Sequence, residues 1–200
     1  MGFKKLLIMK TTFGPQKIMF PCPAALVVTG NMDKANIATI AWVSLLTSSP
    51  PTLGVSIGQK GFTSNEIKKN GHFTVNIPTV EIMKEADFCG ITSGRDIDKF
   101  TETGLTKMSS NIVDSPIIKE CPLNLECTLE QSNVFGQTNH FAGRIVETHI
   151  DTGKLKDTGD YTSFDTEAMN PLIYIGGARE YRKIGEKTGD AYSIGKSLKK

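Results

Sequence analysis

Two successive prolines, Pro50-Pro51, constrain this chain more than any other feature. Each holds the residue before it in extended backbone and offers no N–H of its own. They stop the apolar or hydroxylic run Ala38 to Leu46, which reads as one strand, and Thr52 to Ile57 reads as the next. Trp42, the only tryptophan, lies in the first run, which suits a strand entering a pocket rather than one crossing open surface. Between the strands, Ser48-Ser49 is expected to stay open, with backbone N–H groups free of a sheet partner and able to face a ligand's carbonyls.

Gly58 to Glu66 reads as a loop feeding a short helix, with Thr63 and Glu66 spaced as a capping box. The helix is expected to run to Lys69 and close at Asn70-Gly71, where glycine takes the left-handed cap conformation. Its N-terminus combines the Thr63 and Ser64 hydroxyls, free backbone N–H groups and Lys60, all of which favour an anion. On their own, these residues are better explained by Thr63 capping its helix and Lys60 in solvent. A helix dipole contributes ~0.3–1 kcal/mol, whereas nanomolar binding needs ~12 kcal/mol, so one helix end cannot hold a cofactor.

The remaining segments follow the same pattern of short strands. Residues 1–19 read as an approach segment, and Ala24 to Thr29 as a strand ending in the turn Gly30-Asn31-Met32-Asp33. Phe73 to Ile77 alternates as a strand, Thr79 to Phe88 reads as a helix closed by Gly90, and Asp96 is placed to cap a brief helix containing Lys99 and Phe100. Residues 105–121 show no regular pattern. Leu123, Leu125, Cys127 and Leu129 alternate with Asn124, Glu126 and Glu130 as in a half-buried strand, and Gly143 to Ile150 gives another. Asp151 to Asp165 is polar and reads as an exposed loop. Short strands, helices in the connections and no regular βαβ alternation predict a mainly β, antiparallel barrel.

With 200 residues, one domain is expected, 176–200 forming a basic extension packed on it. That extension holds seven Lys or Arg against three Asp or Glu, but the whole chain carries only +2, too little to argue for nucleic acid or membrane. Lys4-Lys5-Leu6-Leu7-Ile8-Met9 imitates a leader, yet four apolar residues fall short of the usual ~7–15, so a cytoplasmic protein is expected. Cys22, Cys89, Cys121 and Cys127 form no CxxC and no zinc spacing, so reduced thiols and no metal are expected. Asp190 to Ser197 looks like a phosphate loop, but Gly189 stands one residue too early and no useful helix follows.

Several pieces taken in order resemble the flavin reductase-like proteins, whose domain is an FMN-binding split barrel. They are Phe20-Pro21-Cys22-Pro23 with its strand, Asn36 to Trp42, Ser49-Pro50-Pro51, Lys60 with Thr63, Phe73 to Asn76, Asp98-Lys99-Phe100, Asn139 to Gly143 and Pro171 to Gly177. The resemblance implies a Greek-key split barrel binding FMN at or near a homodimer interface. It matches Asn36, Thr39 and Trp42 to the strand along the ring, and Ser56, Lys60 and Thr63 to the phosphate end. Ser48, Ser49 and Ser64 are added from the open turn and the helix start. Lys99 and His140 match polar positions near the cofactor and Tyr174 an aromatic at the pocket edge. Ala38 stands where relatives often carry threonine.

Reduction gives the ring negative charge, which a cation or N–H donors stabilise. Lys99 is the candidate for that support, and His140 for hydrogen bonding or proton transfer. The resemblance implies an oxidoreductase passing electrons from NADH or NADPH through FMN to an acceptor. No Rossmann fingerprint is present, so the nicotinamide would stack on the exposed ring. The alternatives are an electron-transfer protein reduced by a redox-protein donor, and a non-catalytic module that binds flavin or haem.

Overall fold

The computed structural model describes residues 10–198. The Lys4 to Met9 leader-like stretch lies outside the described residues. In chain order the strands are β1 (Cys22–Pro23), β2 (Ala25–Gly30), β3 (Ala35–Ile40), β4 (Val43–Ser48), β5 (Pro51–Gly58), β6 (His72–Ile77), β7 (Lys107–Met108), β8 (Ile117–Ile118), β9 (Leu123–Phe135), β10 (Thr138–Ile150), β11 (Ile173–Ile175) and β12 (Glu180–Arg182). The helices are α1 (Phe62–Asn70), α2 (Met83–Ile91), α3 (Lys99–Thr103) and α4 (Thr166–Met169).

Seven strands form one antiparallel sheet in the order β3-β2-β6-β9-β10-β5-β4. Its two ends, β3 and β4, are consecutive in the chain, so the sheet curls until they meet. The expected single strand Ala38 to Leu46 therefore bends at Ala41-Trp42, passing from β2 as partner to β5. Ser56 N–H donates to the Trp42 carbonyl at 2.9 Å and fastens that corner. Apolar character is continuous across the bend, so only the change of partner marks it. This is the expected antiparallel split barrel, with helices in its connections.

Alternation along β2 sends side chains to two cores. Ala25 and Val27 point into the barrel with Leu53, Val55, Phe73, Val75 and Phe141, and Ile67 of α1 plugs that core. Leu26 and Val28 point outward with Ile37, Ala86, Cys89, Phe100 and Ile118, beneath α2, α3 and β8. Two small sheets, β1-β11-β12 and β7-β8, complete the outer layer. The short pair β7-β8 lies within the patternless 105–121.

Three local expectations change for non-local reasons. The N-cap of α1 is Gly61, with no side-chain cap bond, because the Thr63 hydroxyl accepts from Asn36 Nδ2 at 2.9 Å. The C-terminal closure holds, with Gly71 at φ 74°. Gly90 lies inside α2, which runs on to Ile91 and ends where Thr92 Oγ1 donates back to the Phe88 carbonyl (2.6 Å). Asp98, not Asp96, caps α3, accepting from the N–H groups of Phe100 and Thr101. Among the described residues no helix is long and apolar enough to cross a membrane.

Candidate functional site

The bend at Ala41-Trp42 creates a cavity of about 290 Å³ lined by Thr39, Ala41, Gly90, Ile91, Tyr174 and Tyr181, with Asp87 and Arg179 at its margin. Sheet pairing brings these distant segments together. Cys22 of β1 pairs with Tyr174 of β11, and β11 pairs with β12, so Tyr174 and Tyr181 stand side by side with ring centroids 5.8 Å apart. The Thr39 hydroxyl donates to the Ala86 carbonyl and ties β3 to α2. Gly90 then lies so close that a Cβ would stand 3.2 Å from that of Thr39. Trp42, next in the chain to Ala41, remains 52% exposed. A half-bare indole at this bend is exposed apolar surface.

Tyr181 donates to Asp87 Oδ1 at 2.9 Å. Burial, followed by this bond to a carboxylate, pushes its phenol well above the usual range. It is therefore a fixed neutral wall. Arg179 adopts φ 57° in the β11–β12 loop, a left-handed conformation uncommon for a residue with a side chain.

At the other end of β3, Asn36 is bonded to Thr63, and its Oδ1 has no partner. Asn36, Phe62, Gly94 and Arg95 share a second cavity of about 520 Å³. Arg95 donates from Nη2 to the Lys60 carbonyl at 2.8 Å and stands over the Phe62 ring, so it braces the start of α1. Lys60 is exposed and also borders a cleft built from Gly58, Gln59, Gly61, Gly136 and Gln137. No residue of α1 before Asn65 spends its N–H on a helical or loop carbonyl, as the first turn of any helix requires. Ser64 is fully buried, its hydroxyl accepting from Asn139 Nδ2 at 2.7 Å, so it serves the core rather than a surface ligand.

The other expected residues are dispersed. Ser48 and Ser49 sit exposed in the β4–β5 turn, where Ser48 pairs with Pro51 and Ser49 N–H is directed to Thr47 Oγ1 at 3.3 Å. The turn is a closed hairpin, so the expected open donors are partly taken. Ala38 is half-buried in β3 opposite Val27. Ser56 and His140 form a pair, Oγ to Nδ1 2.8 Å, on the outside of β5 and β10. Lys99 is 3% exposed, and its ammonium donates to the carbonyls of Ile37 (2.8 Å) and Cys89 (2.7 Å). Burial lowers its pKa. Two of its three donors are thus committed to joining β3 and α2.

The four cysteines are free thiols, and burial pushes Cys89 up to about 11 and raises Cys121 and Cys127 further. Among the described residues no group of three metal-ligating side chains gathers. Sequence reading gave Gly90 only a helix-closing role and passed over Arg95, Arg179 and Tyr181 as site residues. Of these only the charge of the two arginines, each beside a glycine-rich loop, offered a signal.

Residues 18–185 match the model of the flavin reductase like domain. The chain is similar to flavoredoxin of Desulfovibrio vulgaris (Miyazaki F), with 34% identity, a TM-score of 0.85, and coverage of 94% of this chain and 100% of that one. It is similar to flavoredoxin from Methanosarcina acetivorans, with 30% identity, a TM-score of 0.86, and coverage of 96% and 100%. A protein of Archaeoglobus fulgidus is 38% identical over 137 residues, 68% of this chain and 77% of its own. With its barrel, its bend and its matched domain, this chain belongs to the flavin reductase-like family of split-barrel flavoproteins.

Proposed function

We propose that this protein is an FMN-dependent oxidoreductase that takes electrons from a reduced nicotinamide and delivers them to a further acceptor. The observation that carries the reading is the cavity that joins Thr39, Ala41, Gly90 and Tyr174, with the half-exposed Trp42 following Ala41 in the chain. Its lining suits a flat ring: it combines Tyr174 and Tyr181 with Gly90, where a Cβ would crowd Thr39. Thr39, Trp42 and Tyr174 would hold the ring, and Lys60 with the first N–H groups of α1 would hold the phosphate. FMN, when bound, supplies a centre that accepts a hydride and releases electrons.

The chain's own residues bind and orient. Lys99 acts at one remove, fixing β3 against α2 so that Thr39 and Gly90 keep their spacing. His140 offers a hydrogen bond from the outer face of β10. The apolar residues Leu45, Leu46, Val134 and Phe135 are left exposed along β4 and the β9–β10 hairpin. A second copy of the chain covers them. Sedimentation of a Leu45→Glu/Phe135→Glu double variant tests this: a monomer is expected, and an unchanged dimer would remove this face from the interface.

The catalytic reading is tested by mixing FMN-loaded protein anaerobically with NADH and with NADPH. Loss of the visible flavin band with either supports it, and an unbleached band with both contradicts it. A second reading draws on the likeness to two flavoredoxins. Here a redox protein is the donor, and the band bleaches with reduced ferredoxin but not with nicotinamides.

A further inference from the structure

Ser56 and His140 face each other across the β5–β10 ladder, and their side chains meet at 2.8 Å, Oγ to Nδ1. The imidazole lies over Gly54, two residues before Ser56 on the same face of β5. A Cβ at Gly54 would stand 2.5 Å from His140 Cε1 and 2.8 Å from Nε2. The Leu46 side chain reaches the same spot, 3.1 Å from that Cβ position. Phe135 turns an edge toward the ring, with centroids 6.2 Å apart and planes at 75°. Contacts from β4, β5 and β9 thus hold one half-buried imidazole in a single orientation. A histidine merely solvated on a strand needs none of them.

We propose that Ser56 is a positioning residue for His140 rather than a contact of the cofactor, the role its resemblance implies. Ser56 occupies Nδ1 and leaves Nε2 as the working nitrogen. A hydroxyl donates and accepts, so it can serve both protonation states of the imidazole. Against the neutral ring Ser56 donates to Nδ1, the ring proton sits on Nε2, and Nε2 offers N–H to a ligand oxygen. When the ring takes a second proton, at Nδ1, the hydroxyl turns and accepts from it, and Nε2 remains a donor. Hydrogen bonding at one nitrogen sets the character of the other. Gly54 completes the device, because any side chain there displaces the ring.

The inference rests on the flavin reading only in supposing that His140 serves the bound ring. It is tested by the imidazole 15N resonances of cofactor-free protein, assigned with His140→Gln, and by FMN affinity from fluorescence quenching. In the wild type His140 should show one neutral tautomer, protonated at Nε2. Ser56→Ala should give averaged shifts of two tautomers, Ser56→Thr should restore the single one, and the FMN Kd of Ser56→Ala should stay within about twofold. An unchanged tautomer with FMN binding weakened ~tenfold or more would make Ser56 a cofactor contact and overturn the proposal. Failure of every form to take up FMN would sink the flavin reading, while the tautomer comparison would still decide the role of Ser56.

Discussion

Glu126 and His149 meet across β9 and β10, where the carboxylate is fully buried and its Oε1 lies 2.6 Å from His149 Nε2. The same carboxylate accepts the N–H groups of Asn111 (2.6 Å), Ile112 (2.7 Å) and Val113 (3.0 Å). Glu126 therefore fastens the otherwise irregular 109–115 segment to the barrel. Burial alone would raise its pKa, but the three N–H groups and His149 outweigh it and hold the group below the usual carboxylate range.

Glu126→Gln is expected to lower stability by about 2–3 kcal/mol at neutral pH, since it removes charge-assisted bonds from a buried acceptor. A group whose folded pKa is depressed stabilises fully above its unfolded value, about 4.3, and loses that contribution as pH falls through the folded value. Urea midpoints compared from pH 7 downward should therefore converge for the two proteins in acid. A constant difference at all pH values would show that the charge is not the source.

Lys99→Met should cost stability before it costs cofactor. Two carbonyls, of Ile37 and Cys89, lose a charged donor, which is worth about 2–3 kcal/mol in a buried setting. Thermal unfolding of cofactor-free protein reads this directly. An unchanged melting temperature with strongly weakened FMN binding would instead make Lys99 a direct cofactor contact.

Gly143 stands against the core, where a Cβ would lie 2.5 Å from Phe73 Cζ and 3.2 Å from Cys127 Cβ. Phe73 is fully buried and cannot swing aside. Gly143→Ala is expected to destabilise by about 1–3 kcal/mol through overpacking, measured by denaturant unfolding. A neutral result would mean that the barrel interior yields at this point.

Lys60 distinguishes the phosphate end of the site from the ring end. Lys60→Ala should weaken FMN about threefold to tenfold, the range expected for losing one solvent-exposed charge-assisted contact. Riboflavin, which lacks the phosphate, should bind both proteins alike. Equal losses for both ligands would place Lys60 at the ring or in the fold instead.

The strand pattern was legible because alternation is local: β2, β5 and β6 stand within a residue or so of where the sequence places them. What stayed hidden was set at long range. Thr63 has the local spacing of a cap, but Asn36, 27 residues earlier, claims its hydroxyl. Glu126 reads as solvent-facing until residues 109–115 fold over it. The one-strand reading of Ala38 to Leu46 fails because a change of partner leaves no mark on composition. Of the site, Thr39 and Tyr174 do share a cavity, whereas Ser56 with His140, and Asn36 with Thr63, form separate pairs. Arg95 was hidden because a loop arginine reads as solvated until Lys60 and Phe62 are seen beneath it.

Titrating cofactor-free protein with FMN, while following Trp42 fluorescence and the visible flavin spectrum, decides whether the chain holds FMN in the cavity lined by Thr39, Ala41 and Tyr174. One FMN per chain, bound with quenching of the only tryptophan and a shifted flavin band, is the expected result. Protein that stays colourless, with tryptophan emission unchanged at saturating FMN, would contradict the account.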